Sequence, residues 1–151
     1  MFNSTALIQI IASFVGTLGF GILFNIRGHK LILSSLGGAF AWFCFLVFNA
    51  LFGREILCYL LVSVIASIYS EIMARVIKTP VTTFSIAVLI PLIPGSALYY
   101  SLKYALEGNT GNFIAKASYT LSLAAALSVG IILVNTVARH INFKKKTKQK
   151  I

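Results

Sequence analysis

The sequence predicts an all-α membrane protein of about five transmembrane helices, N-out and C-in, with the fourth helix broken at Pro-Leu-Ile-Pro-Gly. Three observations predict it. The first is composition: the 151 residues are 58% hydrophobic and only 11% charged, with a mean hydropathy of +0.92. Soluble domains are about 45–50% apolar and about 25% charged. A soluble fold this small has too much surface for its volume to hide the excess, and disorder needs the opposite balance. The second is that five apolar stretches reach the length of about 17–25 residues that a spanning helix needs. The third is the alternation of basic residues between the stretches.

The first stretch, roughly Phe2–Phe24, lacks a basic leading segment and an A-x-A site, so no cleaved signal peptide is expected. Asn3-Ser4-Thr5 matches a glycosylation sequon but abuts the span and carries no weight. The second, Leu31–Phe52, and the third, Ile56–Met73, follow after short links. The fourth, Val81–Leu102, contains Pro91, Pro94 and Gly95 near its middle. Proline removes a backbone donor and clashes with the preceding turn, so this helix should break there. The fifth, Ala117–Ala138, follows the longest link, Lys103–Lys116. None of the five shows the period-two alternation of a barrel strand. The chain therefore divides into a single five-helix domain, 1–143, and a basic cytoplasmic tail, 144–151.

Charge fixes the orientation. With the amino terminus outside, the inner side holds Arg27, Lys30, Arg75, Lys78, Arg139 and the tail lysines Lys144, Lys145, Lys146, Lys148 and Lys150. Only Arg54, Lys103 and Lys116 remain outside. This follows the positive-inside rule and requires an odd number of crossings. The formal charge of +10 then reports topology and attraction to anionic membrane lipids, and no nucleic-acid partner is expected.

Candidate functional residues are few. Broken helices at membrane depth are tolerated where freed backbone groups meet protein or a watery cavity. Secondary transporters use such helices to bind solutes. Pro91, Pro94, Gly95 and Ser96 are thus candidates for a substrate pathway, a packing kink being the alternative. Thr79 and Pro80 lead into the same helix and also read simply as its start. Glu71 is the one acid well inside an apolar run, a proton-coupling candidate. Its spacing to Arg75 equally describes an i,i+4 ion pair at the cytoplasmic end of the third span. Ser118, Ser122, Ala126 and Gly130 form a small-residue face suited to helix packing. Gly16, Gly19 and Gly21 in the first span, and Ser34, Gly37, Gly38 and Ala41 in the second, read the same way, which leaves a homo-oligomer open.

Cys44 and Cys58 lie within apolar runs and form no CxxC spacing. His29 and His140 lack metal-ligand spacing, so neither a metal nor a cofactor is expected. There is no G-x-S-x-G, H-E-x-x-H or P-loop, so catalysis is not expected either.

The stretch from Ile68-Tyr-Ser-Glu71 through Arg75 and Lys78-Thr-Pro80 to Ile90-Pro-Leu-Ile-Pro94-Gly95 and Tyr99-Tyr100 resembles the threonine/serine exporter family. So does Gly19-Phe-Gly21-Ile-Leu-Phe-Asn25 with its basic loop. The likeness is closest to the family's small, stand-alone subunit, equivalent to the C-terminal transmembrane half of the fused exporters. It implies a multi-pass protein of the bacterial cytoplasmic membrane, working with a larger exporter-like membrane subunit to export threonine, serine or related metabolites on the proton gradient. Some split members are associated with dicarboxylates, and that substrate stays open. A non-transporting assembly subunit and a small holin-like channel are the other readings.

Overall fold

Each apolar stretch becomes helical, the fourth in two pieces, because in hydrocarbon every backbone N–H and C=O must be satisfied within its own segment. In the computed structural model, residues 4–148 are described, with side chains from 4 to 140. Helices α1 (Ser4–Leu23), α2 (His29–Phe52) and α3 (Glu55–Val76) are followed by α4 (Val81–Leu89), a 3-10 turn (Ile90–Leu92), α5 (Gly95–Leu106) and α6 (Thr110–Lys148). No strand occurs among the described residues. Phe2 and Asn3 at the start of the chain, and Lys150 in the tail, lie outside the described residues. So do the side chains of Lys144, Lys145, Lys146 and Lys148.

The links are short because the helix ends close on themselves. After α1, Asn25 takes the left-handed conformation (φ 57°). Its N–H bonds to Ile22 O and the next N–H, of Ile26, bonds back to Gly21 O. This paired closure is a Schellman motif, and asparagine is one of the few side chains that tolerate its left-handed position. After α3 the same pattern recurs with Lys78 (φ 55°). Lys78 N–H reaches Arg75 O, and Thr79 N–H reaches Ala74 O. A lysine there costs more than a glycine would.

Helices α1, α2 and α3 alone are long and apolar enough to cross a bilayer, as is α6 over Thr110–His140. The segment between them is bent by 60°. Val81–Leu92 and Gly95–Leu106 are each 12 residues, about 18 Å long if helical. At this bend the second piece still advances about 9 Å along the axis of the first. Together they cover about 27 Å, close to the hydrocarbon thickness of about 30 Å. By length and composition the bent pair suffices for one broken span, which gives four or five candidate crossing helices among the described residues.

Helix α1 pairs with α2, α2 with α3, and α4 lies against both α2 and α3. Helix α6 packs along α3 and α5. Close approaches hold these pairs together. A Cβ on Gly38 would stand 2.1 Å from Thr17 Oγ1, and one on Gly37 would stand 2.4 Å from Tyr69 Cε1. Tyr69 also donates to Leu33 O at 2.7 Å, tying α3 to α2. The core gathers Ala41 and Phe45 of α2, Cys58, Val62 and Ala66 of α3, Val88, Leu92 and Ala97 of the broken span, and Leu123 and Ala126 of α6. Large apolar side chains elsewhere, such as Leu7, Ile8, Ile132 and Val137, point outward, as lipid-facing residues do.

Candidate functional site

Proline chemistry sets the break. Pro91 and Pro94 have no N–H to donate, so the α-helical ladder stops at Leu89 and tightens to a 3-10 turn. Ile93 is extended (φ −62°, ψ 125°). Ile93 N–H bonds to Ile90 O, Gly95 N–H to Ile93 O at 2.7 Å, and Leu98 N–H to Pro94 O, which restarts the helix. Leu92 is fully buried beneath α1 and α2.

Several cavities open along α3, among them a largely apolar one beside Val64, Ile68 and Ile72 and one beside Ile56 and Leu60. Two others, with polar linings, lie at opposite ends of the helix, one on each side of this break. The first, about 790 Å³, lies between the C-terminal half of α3, α4 and α6. Glu71, Arg75, Lys78 and Thr79 line it, with Thr82, Ser85 and Leu89 of α4 and Asn135 and Arg139 of α6. Glu71 Oε2 accepts from Arg75 Nη2 at 3.1 Å and from Nε at 3.3 Å. The Glu71 side chain is 15% exposed. Arg75, Lys78 and Arg139 against Glu71 leave the cavity cationic. Thr79 Oγ1 is enclosed there without a hydrogen-bond partner.

The second cavity, about 660 Å³, lies between the N-terminal half of α3, α2, α5 and α6. Its polar lining is Glu55, Tyr59, Ser96, Tyr100, Lys116 and Tyr119, with Trp42 and Pro94 beside them. The Tyr119 hydroxyl donates to Glu55 Oε2, and Lys116 Nζ stands 5.8 Å from the centre of the Tyr119 ring. Sixteen positions of α3 separate Glu55 from Glu71, about 24 Å of helix. Between the cavities Val62, Ser63, Ala66 and Ser67 are at most 1% exposed. The waist is tight because Gly130 of α6 has no side chain: a Cβ there would stand 1.8 Å from Ser63 Oγ and 3.0 Å from Leu60 O.

The residues singled out from sequence are thus distributed rather than clustered. Glu71, Arg75 and Thr79 share the first cavity; Pro94 and Ser96 line the second. Pro91, Gly95 and Pro80 line neither, and act on the backbone path instead. On α6, Ala126 and Gly130 are buried, whereas Ser118 and Ser122 are exposed and bond back to Ala115 O and Ser118 O. In α1, a Cβ on Gly21 would meet Leu31, whereas one on Gly16 or Gly19 would meet nothing within 4 Å. Lys116 reads from sequence only as an outer-side charge, and Glu55, Tyr59 and Tyr119 do not stand out, because Glu55 sits at the span boundary, where a carboxylate is ordinary. Its signal was the four-residue spacing to Tyr59 on the same helix. Among the described residues no cluster of His, Cys, Asp or Glu suits a metal ion.

Residues 9–137 match the family model described as threonine/serine exporter, ThrE. Neither a curated protein nor a solved structure gives a match.

Proposed function

The chain belongs to the threonine/serine exporter family, and from that premise we propose that it is the small membrane subunit of a two-component secondary exporter. Its solute is threonine, serine or a related small metabolite, driven by the proton gradient, in the bacterial cytoplasmic membrane. A larger exporter-like membrane subunit completes the machine. The observation that carries this reading is the pair of polar cavities at opposite ends of α3, divided by a buried waist next to a helix broken by Pro91 and Pro94. Such an arrangement suits alternating access, in which packed elements rock around a broken helix.

With the amino terminus outside, the Glu71 cavity opens to the cytoplasm and the Glu55 cavity to the exterior, which follows the distribution of Lys and Arg. Glu71 then carries the coupling proton. Held by Arg75 in one state, its carboxylate is freed to accept a proton in the other. The expected result for Glu71→Gln is loss of export with assembly intact; normal export by that variant would leave Glu71 as an ion-pair partner only. The cationic balance of the Glu71 cavity favours one second reading, a dicarboxylate as the exported solute.

The test is efflux of threonine, serine and dicarboxylates from preloaded cells expressing this chain, its genomic neighbour, or both. Threonine or serine efflux only with both subunits supports the proposal. Dicarboxylate efflux alone would replace the solute. No efflux of any of them from a pair that co-purifies would reduce the chain to an assembly role.

A further inference from the structure

Helix α3 carries a polar residue at every fourth position from end to end: Glu55, Tyr59, Ser63, Ser67, Glu71 and Arg75. The neighbouring row, one residue on, is Ile56, Leu60, Val64, Ile68, Ile72 and Val76. Rows at i±4 are inclined to the helix axis, so the polar row winds as it descends. That winding takes it from the α5 side of the bundle at Glu55 to the α4 side at Glu71, matching the walls of the two cavities. Exposure narrows toward the middle: Glu55 and Arg75 are exposed, Glu71 is half-buried, and Tyr59, Ser63 and Ser67 are buried. The apolar row is open at Ile56, Ile68, Ile72 and Val76.

Ser67 supplies an independent observation. It is 1% exposed, and its hydroxyl has no hydrogen-bond partner. The nearby serines of α3 behave otherwise. Ser63 donates to Leu60 O at 2.8 Å and, a turn beyond, Ser70 donates to Ala66 O at 2.9 Å. Serines in a spanning helix ordinarily satisfy themselves by such back-bonding. An enclosed hydroxyl without a partner costs stability, and native proteins keep few of them. Ser67 lies at the waist, between Tyr59, which lines one cavity, and Glu71, which lines the other.

We propose that the Glu55–Tyr59–Ser63–Ser67–Glu71 row of α3 is the wall of a single water-accessible route for the polar part of the exported solute. Ser67 is the hydrogen-bonding point at its centre, and Gly130 against Ser63 is the closed gate. This rests on the exporter reading for the identity of the cargo, but the route itself is a matter of geometry.

The test is cysteine accessibility in the complex with its partner subunit, with Cys44 and Cys58 replaced by alanine. Single cysteines are placed at Tyr59, Ser63, Ser67 and Glu71, and at Leu60, Val64, Ile68 and Ile72. A charged, membrane-impermeant methanethiosulfonate is added to intact cells and to inverted vesicles. Thiolates react and form only where water reaches them, so the polar row should react at least about tenfold faster than the apolar row. Tyr59→Cys should label from outside, Glu71→Cys from inside, and Ser67→Cys from one side or both. Ser67→Cys no faster than Ile68→Cys from either side overturns the proposal.

Ser67→Ala gives a second reading. Removing an unpaired hydroxyl leaves the unfolding midpoint unchanged or higher, while efflux falls at least about fivefold, the loss expected for one hydrogen bond of roughly 1 kcal/mol. Unchanged efflux would make Ser67 a packing residue and sink its role. Labelling of the polar row without threonine or serine efflux would overturn the cargo and keep the route. Efflux with the polar row unlabelled would do the reverse.

Discussion

Replacing Gly130 by alanine asks whether α3 and α6 really touch at the waist, because two effects of opposite sign compete. Alanine is the better helix former by about 1 kcal/mol, so on an open helix face Gly130→Ala stabilises. At the observed approach, however, the new Cβ would stand 1.8 Å from Ser63 Oγ, 3.0 Å from Ser63 Cβ and 3.0 Å from Leu60 O. The Leu60 oxygen belongs to backbone and cannot rotate away. Ser63 can turn its hydroxyl only by giving up its 2.8 Å bond to Leu60 O. The helices must therefore separate, and overpacking of this type costs about 1–3 kcal/mol. The net expectation is destabilisation by about 1–2 kcal/mol after the propensity gain, read from the midpoint of SDS-induced unfolding in mixed micelles. Ser63→Ala removes the closest atom. In that background Gly130→Ala should cost about half as much, since two contacts at 3.0 Å remain. A rise in stability for Gly130→Ala, or a loss that Ser63→Ala leaves unchanged, would refute the close approach and the gate built on it.

Other perturbations have outcomes of definite sign. Tyr69→Phe deletes the bond to Leu33 O and should lower stability by about 0.6 kcal/mol, the average for hydrogen bonds between membrane helices; the same SDS titration measures it. Lys78→Gly relieves a left-handed non-glycine residue and should raise stability by about 1 kcal/mol, while taking one positive charge from the Glu71 cavity; an unchanged midpoint would place Lys78 in another conformation. Pro91→Ala combined with Pro94→Ala restores two backbone donors and should straighten the break. Efflux is then lost while the subunit still co-purifies with its partner; loss of the complex instead would assign the break to assembly.

Spans were legible in the sequence because hydrocarbon imposes a length and a composition on every crossing helix, and proline imposes a break. The ends of the helices were less so: α6 extends well before Ala117 and beyond Ala138, since polar residues at the interface can continue a helix as well as leave it. Small residues illustrate a different limit. Gly16 and Gly130 are alike in sequence, yet a Cβ on the first would meet nothing within 4 Å while one on the second would run into Ser63. Which face of a helix meets a neighbour depends on its rotation, and a helix apolar all round carries no sign of it. The same blindness hid the Glu55 cavity. Its walls come from α2, α3, α5 and α6, and only folding brings Trp42, Glu55, Ser96 and Lys116 together. Glu71 could be found alone because an acid within an apolar run stands out by itself.

The most direct test of the account is efflux of labelled threonine or serine from proteoliposomes that hold this chain and its partner subunit, with and without an imposed pH gradient. The account predicts efflux that speeds up when the Glu55 side is made acidic, stops with a protonophore, and disappears in Glu71→Gln. Efflux indifferent to the gradient, or none from vesicles with the complex intact, would contradict it.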